Sequence, residues 1–244
     1  MPDQQNAGTF PQRFTGKTVL VTGAGTGFGA EIAVRAAQEG ARVVVHYNRS
    51  REGAEETAKR IEQAGSEAAL VQADITSWDE IRALADTAFG AFGGLDVAVN
   101  NVGDVARDQM SWRDITEESI DHVLAVDVKG TLLCTQEFGS RMVEAGGGCV
   151  INIGSTVIVR GSPRAPQYAA AKYGILGRSP ARGRASVQHA AGRAGPAAHR
   201  DRRAQRRHRP AGAGRGHPGP VPPGRRRAHS RPGELLAVGR PGPA

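Results

Sequence analysis

The sequence is short of several things, and each shortage removes a class of protein. Two cysteines, Cys134 and Cys149, cannot build a disulfide scaffold in 244 residues and read as thiols of a reducing compartment. No apolar run approaches the ~20 residues needed to cross a bilayer. Residues 1–12 hold no apolar signal core, so the expectation is a soluble cytoplasmic protein with no membrane partner. No His/Cys pattern has metal-ligand spacing, so no metal is expected. After residue 177 there is no Lys, Phe, Trp, Tyr, Ile or Met at all.

What is present is unevenly spread. Residues 1–177 hold 16 Lys+Arg against 22 Asp+Glu, a net of −6, while 178–244 hold 16 against 2, a net of +14. The formal charge of +8 and the basic pI therefore belong to the last 67 residues. That stretch also carries 10 of the 14 prolines, and its composition cannot bury enough apolar surface to offset chain entropy. The expected organisation is an N-terminal extension (1–13), a folded domain (14–177) and an aberrant, disordered Arg/Pro/Gly/Ala-rich tail (178–244).

Within 14–177, strand and helix patterns alternate. Strands are expected at 17–22, 42–47, 68–73, 95–99 and 149–153. Helices are expected at 30–38, at 51–64, after the Ser77–Glu80 capping box, over 116–144 with a bend at Gly130, and from Gln167 to Leu176. Continuous apolar strands separated by helices imply βαβ units. The expected fold is α/β, a Rossmann-type doubly wound parallel sheet, incomplete at its C-terminal edge.

Thr22-Gly23-Ala24-Gly25-Thr26-Gly27-Phe28-Gly29 joins the first strand to the first helix. Glycines there let the backbone approach a pyrophosphate, and a helix N-terminus offers N–H groups and positive potential. Three further elements follow in order: Ala73-Asp74-Ile75, then Asn100-Asn101-Val102-Gly103, then Ser155 with Tyr168-Ala-Ala-Ala-Lys172 thirteen residues on. Read separately they are a helix cap, a turn and a surface helix face. Together, over residues 14–177, they resemble the short-chain dehydrogenase/reductase family, and within it the 3-oxoacyl-acyl-carrier-protein reductases and related ketoreductases.

The resemblance implies hydride transfer between a nicotinamide dinucleotide and a ketone, 3-oxoacyl group or matching alcohol. Tyr168 would be the acid/base, Ser155 the carbonyl donor, and Lys172 the partner of the phenol and the nicotinamide ribose. Tyr168 and Lys172 are four apart on a helix and share a face; an ammonium beside a phenol is expected to lower its pKa. The cofactor would be held by residues 23–29, Asn48, Arg49, Asp74, Ile75, Asn101, Gly103, Tyr168 and Lys172. The second strand ends His46-Tyr47-Asn48-Arg49, without the acid that suits a ribose 2′-hydroxyl. Either Arg49 pairs with a 2′-phosphate, favouring NADP(H) over NAD(H), or it is a solvated loop charge. The substrate would be a small carbonyl or alcohol, or an acyl-carrier thioester. A homo-oligomer would form through helix 116–144.

One residue departs from the family pattern. Asp127-Val-Lys-Gly130 stands where the family has Asn in an N-x-x-G element that steadies a water behind the Lys. A carboxylate there either partly neutralises Lys172, giving slower or pH-shifted chemistry, or serves as an alternative water holder.

Residues 178–186 admit a specific explanation. Read from the third base of the Arg178 codon, their triplets allow Leu-Thr-Arg-Ser-x-Ala-Arg-Glu, the continuation a family member would have. The leading reading of 178–244 is out-of-frame translation of a GC-rich gene, which would leave a non-catalytic nucleotide-binding remnant as the alternative function. The rival is a basic tail acting on nucleic-acid phosphates; having no aromatics for base stacking, it is the weaker reading.

Overall fold

Continuous apolar runs along the strands, buried on both faces, fix the architecture. A computed structural model describes residues 11–103, 113–162 and 165–176 in full, and residues 185–192 as backbone. All of these belong to one compact unit, residues 1–197. The body strands are β1 (Thr18–Val21), β2 (Arg42–Tyr47), β3 (Ala68–Gln72), β4 (Val97–Asn100) and β5 (Gly148–Ser155). They form a parallel sheet in the order β3-β2-β1-β4-β5, extended by β6 (Ala185–Gly192) beside β5.

Register places like-facing residues in rows. Val44, Leu20, Ala98 and Val150 align across four strands, and so do Val45, Val21, Val99 and Ile151 on the opposite face. The first row packs with α3 (Trp78–Ala91) and α5 (Thr131–Glu144) through Leu84, Phe138 and Met142. The second packs with α1 (Gly27–Gln38) and α2 (Arg51–Gln63) through Ala33, Val34 and Ile61. This follows from right-handed crossovers: stepping from β1 through β2 to β3 and stepping back through β4 to β5 send helices to opposite faces. Among the described residues no helix covers β4 and β5 on the α1 side, and an apolar groove of about 540 Å³ lies there, lined by Phe28, Ile32, Val97, Val99 and Ile151.

Expected and observed elements agree closely, with four differences. The capping box is half made: Ser77 Oγ accepts from the Glu80 N–H, but the Glu80 carboxylate reaches the Asp74 N–H at 2.7 Å. The helix over 116–144 bends by a change of pitch, since α4 (Glu117–Val123) passes through a π-helical stretch (Leu124–Gly130) before α5. Gly130 allows the approach, because a Cβ there would meet Ile75 Cδ1 at 2.8 Å. A one-turn helix, α6 (Val157–Arg160), follows β5 and precedes α7 (Pro166–Leu176). Within the stretch expected as a tail, the backbone of β6 pairs in parallel with Gly148–Ser155 of β5. The rest of the expected tail, and the extension up to residue 10, lie outside the described residues.

Candidate active site

The phosphate loop is held by its carbonyls and by the amides of Thr22, Gly23 and Ala24 at its start. The Thr22 hydroxyl accepts from the Asn101 and Val102 N–H groups at 3.0 and 3.3 Å. The Asn101 amide donates to the carbonyls of Thr22 and Gly23 at 3.0 and 3.3 Å. Thr57 on α2 donates to the Ala24 carbonyl at 3.0 Å. The Gly23 N–H donates to His46 Nδ1 at 3.1 Å, so His46 Nε2 carries the ring proton and donates to the Ala73 carbonyl at 3.0 Å. Burial, opposed by that carbonyl and by Asp74, lowers the His46 pKa to about 4 and keeps the ring neutral.

Small residues make this arrangement possible. A Cβ at Gly29 would lie 2.3 Å from the Gly23 carbonyl, and one at Gly53 on α2 would lie 2.1 Å from the Gly25 carbonyl. Gly23 itself has φ +66°, a conformation that costs glycine little. Thr26 is the N-cap of α1, and its side chain makes no capping hydrogen bond. The loop therefore fits a dinucleotide pyrophosphate: glycines at the points of closest approach, carbonyls tied back, and an uncapped helix N-terminus beyond them. Phe28 is half exposed at the same turn.

Beside the loop, Asn48, Arg49 and Asp74 come together. Burial pushes the Asp74 carboxyl up, but hydrogen bonds from Thr76 and Asn48 and the charge of Arg49 outweigh it, leaving the pKa lowered. Tyr47 is buried at the end of β2, and Arg49 is exposed. Ile75 turns its side chain into the core against Gly130, which leaves only its backbone for a ligand.

Ser155, at the end of β5, lies beside Tyr168 on α7, and its hydroxyl accepts from the Val157 N–H at 3.4 Å. Lys172, one turn further, has Nζ 5.4 Å from the Tyr168 ring centroid, 3.4 Å from the Ile153 carbonyl and 2.9 Å from Asp127 Oδ1. The Lys172 and Asp127 side chains are 3% and 0% exposed. Gly103 closes over this pair: a Cβ there would lie 2.8 Å from Lys172 Nζ and 3.0 Å from Asp127 Oδ1. The expectation that Lys172 lowers the Tyr168 pKa is reversed. The phenol is raised, first by burial and also by the Asp127 charge, against a lowering by the Ser155 hydroxyl. Lys172 faces the Asp127 carboxylate directly, the first of the two arrangements the sequence left open.

The β1, β4 and β5 ends thus deliver the phosphate loop, Asn101 with Gly103, and Ser155 to the C-terminal edge of one parallel sheet, where open α/β sheets bind ligands. Asn101 touches the phosphate loop, and two residues on Gly103 touches Lys172. None of Ser155, Tyr168 or Lys172 lines the apolar groove on the α1 side, so that groove is separate from this cluster. Three supporting residues escaped the sequence reading: His46, Gly53 and Thr57. Each has an ordinary role in a strand or helix, and only the pairing of β2 and α2 with the loop reveals them. No His, Cys, Asp or Glu cluster able to hold a metal occurs among the described residues.

A buried tyrosine and lysine with a serine, beside a dinucleotide-type loop at the C-terminal edge of a parallel sheet, mark a doubly wound α/β protein of the dinucleotide-binding kind. Comparison with known proteins then gives the family. The short chain dehydrogenase family model matches residues 17–186. The chain is 37% identical over 161 residues to a Staphylococcus aureus 3-oxoacyl-[acyl-carrier-protein] reductase FabG, covering 66% of this chain and 65% of that protein. It is 39% identical over 163 residues to versicolorin reductase stcU of Emericella nidulans, covering 67% and 61%. A Sinorhizobium meliloti protein assigned as a short-chain alcohol dehydrogenase has a crystal structure that superposes with a TM-score of 0.62 at 35% identity, covering 67% and 64%. The chain belongs to the short-chain dehydrogenase/reductase family. It spans less than two thirds of the length of each of these relatives.

Proposed function

We propose that the protein is an NADP(H)-dependent oxidoreductase that reduces a ketone or 3-oxoacyl group, or oxidises the matching alcohol. The observation that carries this reading is the link from the phosphate loop through Asn101 and Gly103 to Lys172, with Tyr168 and Ser155 beside it. Two of the relatives above are reductases by name. The nicotinamide cofactor supplies the hydride. Ser155 would orient the substrate oxygen, and Tyr168 Oη would exchange the proton with it. Lys172 Nζ donates to the Ile153 carbonyl and is ion-paired with Asp127, and it would offer a further N–H to a ribose hydroxyl. Arg49 beside Asp74, with no acid at position 47, favours a 2′-phosphate and hence NADP(H).

The test is oxidation of NADPH and NADH by the full chain against a panel of ketones and 3-oxoacyl thioesters. Turnover is expected with NADPH and is expected to fall by about 10²–10⁴ in Tyr168→Phe while cofactor binding persists. Cofactor-independent or absent turnover across the panel sinks the reading.

The remaining parts of the reading have their own support. No helix among the described residues is long and apolar enough to cross a membrane, and both cysteines are free thiols, in keeping with a cytoplasmic setting. Ile120, Leu124, Leu132 and Val143 are exposed apolar residues along α4, the π-helical stretch and α5, which suits a homo-oligomer. Sedimentation of Leu124→Lys/Leu132→Lys should show a smaller species than the parent chain. The out-of-frame reading of the basic C-terminal part is favoured by its composition. Nucleotide sequence across codons 170–244, with the intact mass of the protein, decides it.

A further inference from the structure

Asp127 and Lys172 form one buried unit. Oδ1 and Nζ are 2.9 Å apart, with 0% and 3% of the side chains exposed. Water and salt hardly screen such a pair, and it carries no net charge. An ammonium favours a phenolate only through the part of its field that remains uncompensated.

We propose that Asp127, by holding Lys172 in a neutral pair, keeps Tyr168 a phenol and so sets the site to give a proton to a carbonyl oxygen rather than to take one from an alcohol. The proposal rests on the oxidoreductase reading above and adds the protonation state that reading leaves open. Asp127 acts through Lys172 and is a positioning residue.

Three features place the carboxylate where it can do this. The π-helical turn widens the helix at residues 124–130 and buries Asp127 against α7. Gly103 leaves the space into which Lys172 Nζ and Asp127 Oδ1 meet. The other described charges on the elements around Tyr168 are solvent-exposed: Glu117, Glu118, Asp121 and His122 on α4, Lys129 in the π-helical stretch and Arg160 on α6. Asp127 and Lys172 are thus the buried charges that face the phenol, and Ser155 lies beside it.

The consequence is directional. In reduction the hydride adds to the carbonyl carbon while the proton on Tyr168 Oη passes to the oxygen, giving the alcohol and a phenolate that regains its proton from solvent. In oxidation the phenolate must exist first, to accept the alcohol proton as hydride leaves. The equilibrium constant is unchanged, but the alcohol reaction waits for a higher pH than it would beside a lone ammonium.

The experiment is an ultraviolet titration of phenolate absorbance in the full chain without cofactor or substrate. The chain has three tyrosines, so Tyr168→Phe, alone and in each variant, isolates the Tyr168 step. In Asp127→Asn the ammonium is uncompensated, and the Tyr168 step should move down by about 1–3 pH units. An unmoved step in a folded Asp127→Asn protein overturns the proposal. Asp127→Leu/Lys172→Met, which replaces the pair by apolar groups, provides a second arm. There the step should stay near that of the parent, whereas a large upward move would mean that Lys172 activates the phenol despite Asp127, and would also overturn it. Because the titration needs no turnover, it succeeds or fails independently of the oxidoreductase reading, which the NADPH assay decides.

Discussion

Asp127 Oδ1 lies 2.9 Å from Lys172 Nζ, and the pair is sealed from solvent. Burying two charges is expensive, so the pair stabilises the fold only while both members are present. Lys172→Met alone should lower stability by about 3–5 kcal/mol, because it leaves a buried carboxylate without its partner. Asp127→Leu/Lys172→Met should recover most of that loss. Guanidinium unfolding of the two single variants and the double variant gives the coupling directly. Additive losses would mean that the two side chains stabilise the fold independently.

Gly103 is the residue on which that pair closes. Its missing Cβ would lie 2.8 Å from Lys172 Nζ and 3.0 Å from Asp127 Oδ1. Gly103→Ala should therefore cost about 1–3 kcal/mol by overpacking and should slow any NADPH-linked turnover. Gly90, in α3, is the control: nothing lies within 4 Å of a Cβ there. Gly90→Ala should be neutral or stabilising by up to about 1 kcal/mol. Similar losses at both positions would show that Gly103 has no special contact.

What could be read from the sequence, and what could not, divides along a physical line. β2 and α7 appear within a residue of where Val43–Val45 and Tyr168–Lys172 place them, because local pattern and tertiary burial ask for the same side chains. The loop glycines were legible for a similar reason, since close backbone approach admits little else. The sign of the Tyr168 shift was not legible. It follows first from burial of the phenol and then from Asp127, 41 residues away, in a π-helical stretch that has no period of its own in the sequence. His46 looks like one more residue of a buried strand until the Gly23 N–H is seen to need an acceptor. β6, Ala185–Gly192, pairs with β5 in a stretch without an apolar strand pattern.

Arg49 offers a direct test of cofactor choice. It is exposed, close enough to Asp74 to lower that carboxyl, and stands two residues beyond Tyr47 at the end of β2. A guanidinium there gains from a 2′-phosphate and not from a 2′-hydroxyl. Arg49→Ala should weaken NADPH binding about tenfold, as for the loss of one charge-assisted contact of about 1.5 kcal/mol, and leave NADH binding within about twofold. Fluorescence titration with both nucleotides measures this. Equal losses for the two would make Arg49 an ordinary surface charge.

His46 gives the phosphate loop an acid limit. Its pKa falls from an ordinary 6.5 to about 4, chiefly through burial. Between those values the unfolded chain binds a proton that the folded protein refuses. Stability from this residue is therefore complete above pH 6.5 and is lost as pH falls toward about 4, by a total on the order of 3 kcal/mol. Protonation would also remove the Nδ1 lone pair that accepts the Gly23 N–H, freeing the start of the phosphate loop. His46→Gln keeps an acceptor and does not titrate. Urea midpoints of the two proteins should run parallel above pH 6.5 and converge as pH drops, with the parent losing more. The parent's nucleotide affinity should fall over the lower part of the same window. Midpoints that stay parallel down to pH 4 would show that the imidazole is not held neutral in the fold.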